Sequence, residues 1–328
     1  MDQIGELFVL GFRGPTIPQW LRSFAGEFGL GGVILFDYDC LDKKYERNVF
    51  SPAQVRELCA EIHSLPSHPL VYVDQEGGKV RRLKDKYGFH PLPSAKQFAK
   101  LSLTERMETL RLPYRQMKDV GIDVNLAPVV DLDFNPNSPD LGVFERSFSS
   151  DIMVVEQCAH SLIEMSRLVG LKLCLKHYPG CGGAHVNPHN ELMDLTDTYS
   201  EAQVQLFHRL LPHIPMVLFS HGTVNHWEAG VPVCLSPVAV GKVRAAHAPS
   251  IVITDDLQMH GVQGLMSTSD AAMRAIQAGV DLILIGNNML DEQELSASIV
   301  QNLARHAQST PQLVAQIKAA IQRVKALK

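Results

Sequence analysis

The chain has 328 residues, 45% of them hydrophobic and 20% charged, a composition that supports a large buried core and excludes fibrous and disordered classes. Thirty basic residues against 35 acidic ones leave a net charge of -5, too mild an imbalance for a nucleic-acid or polyanion binder, so a small-molecule partner is expected. The cysteines at 40, 59, 158, 174, 181 and 234 form no CxxC pair, which argues against a disulfide framework or zinc finger and for a reducing compartment. Asp2 and Glu6 stand where a signal peptide is basic, and Gly11 breaks the first apolar run. The expected location is cytoplasmic. No run approaches the ~18 uninterrupted apolar residues of a membrane span.

In chain order, apolar runs at 7–12, 32–36, 70–74, 124–129, 171–177, 216–221, 251–255 and 281–285 lack polar alternation. Parallel strands covered on both faces look like this, and so do short buried helices. The stretches 52–63, 103–120, 151–169, 201–211 and 269–278 between them carry helical spacing. Eight strand–helix units predict an α/β fold, a (β/α)8 TIM barrel; no GxGxxG follows a candidate strand, which argues against an open dinucleotide-binding sheet. The tail, 290–328, reads as two further helices broken near Thr310 and Pro311 and packed outside the barrel. No Gly-, Ser- or Pro-rich linker divides residues 1–328, so a single domain is expected.

Barrel active sites lie at the C-terminal ends of the strands, and the polar residues there are reactive types. The third run ends in Asp74, Gln75, Glu76, Gly77 and Gly78; the fourth leads to Asp131, then Glu145 and Arg146; the fifth ends in Lys176 and His177; the sixth in Ser220 and His221; the seventh in Asp255 and Asp256. Carboxylates, cations and histidines converging in this way suit a polar ligand.

The segments GELFVLGFRG (5–14), GGVILF (31–36), VDQEGGKVRRL (73–83), NLAPVVDL (125–132), ERSFSSD (145–151), LKHYPGCG (175–182) and ITDDLQM (253–259) resemble glycoside hydrolase family 3, in its single-domain β-N-acetylglucosaminidase (β-hexosaminidase) branch. The resemblance implies one family 3 barrel domain. It also implies a retaining hydrolase that removes terminal β-linked N-acetylglucosamine, from peptidoglycan fragments in the cytoplasm, without cofactor or metal. Asp255 would be the nucleophile, and Asp74, Arg82, Arg146, Lys176 and His177 would bind the sugar. Adjacent strand residues face opposite ways, so Asp255 and Asp256 compete for the barrel mouth. Family position favours Asp255, with Asp256 expected to bond to backbone at the start of the following helix.

In the family an Asp-x-His dyad on the loop after the Lys-His strand supplies the acid/base. Here the matching residues are Asn187, Pro188 and His189, and Cys181 stands where a His is common. Asn187 can orient an imidazole but gives it no charge. Three outcomes follow: His189 works alone at reduced rate, Glu191 or Asp194 substitutes, or hydrolysis is lost and a sugar-binding protein or a phosphorylase remains. Cys181, His185 and His189 also form C-x3-H-x3-H, but glycines and prolines make the stretch a loop, where that spacing carries no ligand geometry. Of Lys79, Arg81, Arg82, Lys84 and Lys86, only Arg82 is expected in the site, the others forming a solvated face. Met259, Met266 and Met273 recur at a heptad spacing that on one helix would line a packing face, and Trp227 is a candidate to stack on a sugar ring.

Overall fold

The computed structural model describes residues 3–187, 191–293 and 295–328. Eight parallel strands fall on the eight apolar runs: β1 (Phe8–Leu10), β2 (Gly32–Leu35), β3 (Leu70–Val73), β4 (Val124–Asn125), β5 (Lys172–Tyr178), β6 (Met216–Phe219), β7 (Ile251–Thr254) and β8 (Ile283–Ile285). Each pairs with its sequence neighbour, β1 pairs with β8, and a single bridge between Ile253 and Leu282 closes the sheet at the β7–β8 seam. This is the (β/α)8 barrel that the repeating runs predict.

The period-two geometry of a strand sorts its residues into two cores. Val9, Ile34, Leu70, Tyr72, Val124, Cys174, Met216, Leu218, Ile251, Ile253 and Leu284 fill the barrel. Phe8, Leu10, Val33, Leu35, Val71, Val73, Leu173, Leu175, Val217, Phe219 and Val252 face outward and pack under the helices. Both faces are covered, so the strands read as continuous apolar runs.

The outer layer comprises α1 (Gln19–Phe28), α2 (Pro52–His63), α3 (Leu103–Asp119), α4 (Ile152–Val169), α5 (Glu201–Leu210), α6 (Pro237–Ala246), α7 (Thr268–Ala278), α8 (Leu295–Gln308) and α9 (Pro311–Leu327). Side chains of Ser51, Ser102, Asp151, Ser200, Ser236 and Ser267 accept backbone N–H groups at six helix starts, each such cap contributing ~1 kcal/mol. The tail helices pack on each other and on α7, and the last turn of α9 goes further than an outer position. Val324 and Leu327 join the core inside the barrel, closing its bottom. No helix among the described residues is long and apolar enough to cross a membrane.

Candidate active site

In four strands the inward series runs on to the C-terminal end, and there the apolar side chains give way to polar ones. Leu70 and Tyr72 lead to Asp74, Cys174 to Lys176, Met216 and Leu218 to Ser220, and Ile251 and Ile253 to Asp255. These residues, with Glu76, Arg82, Arg146, His177 and His221, line one cavity of about 390 Å³ at the top of the barrel. That volume lies at the lower end of small-ligand sites.

Most of its charges are locked to one another. Lys176 Nζ donates to Asp74 Oδ1 at 2.7 Å and pairs with Glu76 Oε1 at 2.5 Å, while Arg82 reaches Asp74 Oδ2 at 3.4 Å. Arg146 grips Glu76 through Nε and Nη2, both at 2.8 Å, and Asp140 through Nη1 at 2.5 Å. Burial alone would raise the carboxyls of Asp74 and Glu76, but Lys176 and Arg82 outweigh it at Asp74, and Arg146 and Lys176 at Glu76. Both stay ionised below the usual carboxylate range. Burial opposes the charge of Lys176 too, and Asp74 and Glu76 overcome it and raise its pKa.

His177 lies between Asp131 and Arg146. Its Nδ1 is 2.7 Å from Asp131 Oδ2, and its Nε2 is 3.2 Å from Arg146 Nη2. Arg146 can only donate, so Nε2 accepts and the proton sits on Nδ1, facing the buried carboxylate. The backbone N–H groups of His177 and Cys181 also donate to Asp131, at 3.1 and 2.7 Å.

Asp255 is half-buried, and its Oδ1 accepts the backbone N–H of Asp256 at 2.8 Å. Among the described residues no cation pairs with it, because Lys176, Arg82 and Arg146 are committed to Asp74, Glu76 and Asp140. Asp256 also borders the cavity but turns its Oδ1 to the backbone N–H groups of Gln258 and Gly286, at 3.0 and 3.2 Å.

Residues 2–327 match the family model described as glycosyl hydrolase family 3 N-terminal domain. The chain belongs to this family. Among its relatives, the β-hexosaminidase of Nitrosomonas eutropha is 28% identical over 89% of this chain and 83% of that one. β-Hexosaminidase LpqI of Mycobacterium tuberculosis is 30% identical over 86% and 72%. The crystal structure of the β-N-acetylhexosaminidase from Beutenbergia cavernae matches 99% of this chain and 97% of its own, at 26% identity and a TM-score of 0.83.

Within this family 3 barrel, Asp74, Arg82, Arg146, Lys176 and His177 come from three βα units to the cavity that Asp255 borders. His189 lies outside the described residues. Neither Glu191 nor Asp194 lines the cavity, and Asp194 is engaged with Thr196 and Asn225. Trp227 does not line it either. Its ring packs against Tyr178 and Tyr199, with Lys242 Nζ 4.8 Å from its centre, because the loop after β6 folds back over the outer layer.

The basic cluster is a solvated face only in part: Lys79 and Lys86 are exposed and Arg81 pairs with exposed Asp85. Lys79 and Arg82 both line the cavity, Lys84 pairs with buried Asp37 at 2.5 Å, and Lys86 sits over Tyr45. Met259 lines the cavity, Met266 lies between helices and Met273 on α7, so the heptad spacing does not trace one helix face. Glu76 and Asp131, which the strand-end reading names without assigning them a role, and Asp140, which it does not name, organise its cations and imidazole. Asp140 lies in irregular chain, where no periodicity singles it out.

Proposed function

We propose that the chain is a retaining β-N-acetylhexosaminidase that removes terminal β-linked N-acetylglucosamine, with Asp255 as nucleophile. The observation that carries this reading is a carboxylate left out of the ion-pair network, at the inward end of β7, facing a cavity in which Asp74, Glu76, Arg82, Arg146 and Lys176 are held in ion pairs. Family membership and the names of the relatives support the same chemistry.

In the first step an oxygen of Asp255 bonds to the anomeric carbon as the bond to the leaving oxygen breaks, and protonated His189 gives that oxygen its proton. In the second, neutral His189 takes a proton from water, the water oxygen bonds to the anomeric carbon and Asp255 departs. Lys176 has three N–H donors with two engaged, and Arg146 five with four engaged, so each keeps one for a sugar hydroxyl. Asp74 accepts from the sugar with its remaining lone pairs. On the family resemblance, the substrates we assign are peptidoglycan-derived fragments in the cytoplasm.

The test is hydrolysis of an aryl N-acetyl-β-glucosaminide with and without phosphate, followed by trapping with a 5-fluoro N-acetylglucosaminyl fluoride. Phosphate-independent release with the label on Asp255 is expected. Label on Asp256, or on neither, overturns the assignment.

A further inference from the structure

The β7–β8 seam is where the barrel closes with a single backbone bridge, and the nucleophile proposed above sits at its upper end. The backbone ladder is interrupted there rather than absent, resuming where Leu257 N–H donates to Leu284 O at 3.0 Å. Thr254 N–H still reaches Leu282 O at 3.1 Å, but the next two donors of the β8 edge go to side chains: Leu284 N–H to Thr254 Oγ1 at 3.1 Å, and Gly286 N–H to Asp256 Oδ1 at 3.2 Å. Thr254 and Asp256 are two residues apart and share a face of the strand, and both side chains reach N–H groups of β8, while Asp255 between them lies on the other face, toward the cavity.

Asp256 binds on three further sides. Its Oδ1 also takes the N–H of Gln258 at 3.0 Å, its own N–H holds Asp255 Oδ1 at 2.8 Å, and its carbonyl accepts from His221 Nε2 at 2.8 Å. His221 follows β6, so residue 256 ties the nucleophile strand to both neighbours. Gly286 leaves room for this arrangement, since a Cβ there would lie 2.4 Å from Asp256 Oδ2 and 3.2 Å from Phe36 Cζ.

We propose that Asp256 is a positioning residue for the reaction: its carboxyl takes the Gly286 N–H in place of a β7 carbonyl, and thereby fixes the peptide N–H that aims the Asp255 carboxylate. This rests on the reading of Asp255 as nucleophile. Burial pushes the Asp256 carboxyl up to about 7, so below neutral pH it is largely uncharged. An asparagine therefore reproduces both the acceptor and the neutral state.

Asp256→Ala, Asp256→Asn and Gly286→Ala are compared with the wild type on an aryl N-acetyl-β-glucosaminide at pH 6, with thermal melting recorded for each. Misaiming a reacting group by about 1 Å costs on the order of 100-fold, so Asp256→Ala should lower kcat by about 30- to 100-fold with KM nearly unchanged. Asp256→Asn should restore kcat to within about 3-fold of wild type, because the acceptor returns. Gly286→Ala, which displaces the carboxyl from the other side, should lower kcat like Asp256→Ala, and it keeps the test decisive where the first variant fails to fold.

Wild-type kcat in Asp256→Ala or Gly286→Ala, an Asn variant as slow as the Ala variant, or a loss confined to KM overturns the positioning role. The 5-fluoro trap separates this failure from the other: Asp255 labelled in the wild type, with variants that turn over normally, removes only the role of Asp256. Asp255 unlabelled removes the nucleophile reading itself.

Discussion

Glu76 binds two buried cations at once, Arg146 in a two-point grip and Lys176 at 2.5 Å. Removing its charge leaves both cations under-compensated, a change that costs about 3–5 kcal/mol when a buried ion pair loses one partner. Glu76→Gln should therefore lower the melting temperature and, by loosening the two donors that line the cavity, raise KM and reduce kcat. A variant with unchanged melting and kinetics would show that Arg146 and Lys176 do not depend on it. The pH dependence follows from the same contacts. Asp74 and Glu76 have lowered native pKa values, so the stability they add is present above their unfolded values near 4 and is lost as pH falls through the lower native ones. Wild-type stability should fall steeply below about pH 4, and Glu76→Gln should show a shallower acid slope in melts taken at successive pH values.

At the scale of elements, all eight strands are legible in the sequence because covered strands leave uninterrupted apolar runs. The helices at 52–63, 103–120, 151–169, 201–211 and 269–278 are legible from their spacing and fall on α2, α3, α4, α5 and α7. α6 is harder to read, since PVAVGKVRAA mixes β-branched residues with a glycine and gives weak local propensity, leaving tertiary packing to decide. The pairs Tyr38–Asp39 with Lys44–Tyr45, and Gln75–Gly77 with Val80–Arg81, are too short to show a period, although they carry Tyr38, Glu76 and Val80 to the cavity. Sequence reasoning thus finds the strand-end charges, Glu76 and Asp131 among them, and misses Asp140, the loop residue that completes the pairing of Arg146. The loop after β5 is the element where this chain leaves the family pattern, and its near end is pinned hard. A Cβ on Gly182 would lie 1.6 Å from Leu132 O, and Asn135 holds Ala184 O at 3.0 Å. Beyond that anchor come Asn187 and His189. Restoring the charge with Asn187→Asp should raise turnover on poor leaving groups, which need protonation, and scarcely change activated aryl ones. His189→Ala should slow the poor leaving groups selectively. Equal rates for wild type and His189→Ala on a poor leaving group would exclude His189 as the acid.

The whole molecule separates chemistry from closure along the barrel axis. Reactive side chains collect where the strands end, while the opposite mouth is sealed by the last turn of α9, with Val324 and Leu327 inside the barrel core. Polar ties hold this plug in place. Lys328 Nζ donates to Ser67 O at 2.7 Å and Leu30 O at 3.1 Å and pairs with Glu6, and Arg323 pairs with fully buried Asp281 at 2.7 Å. Asp281 in turn accepts the N–H of Val252 at 2.8 Å, so the plug is bonded to the strand that carries Asp255, but at its far end. Leu327→Ala removes buried methyl groups from that end and should cost about 2 kcal/mol or more, with some cavity left behind. Val324→Asp should be more damaging, because an unpaired carboxylate has no partner inside an apolar barrel. Barrel bottoms serve stability and barrel tops serve catalysis, so folded Leu327→Ala protein should keep wild-type kcat and KM below its lowered melting temperature. Denaturant unfolding together with kinetics on the same preparation checks both halves. A loss of kcat at unchanged stability would mean that the bottom of β7 communicates with its top, and that the plug helps place the nucleophile.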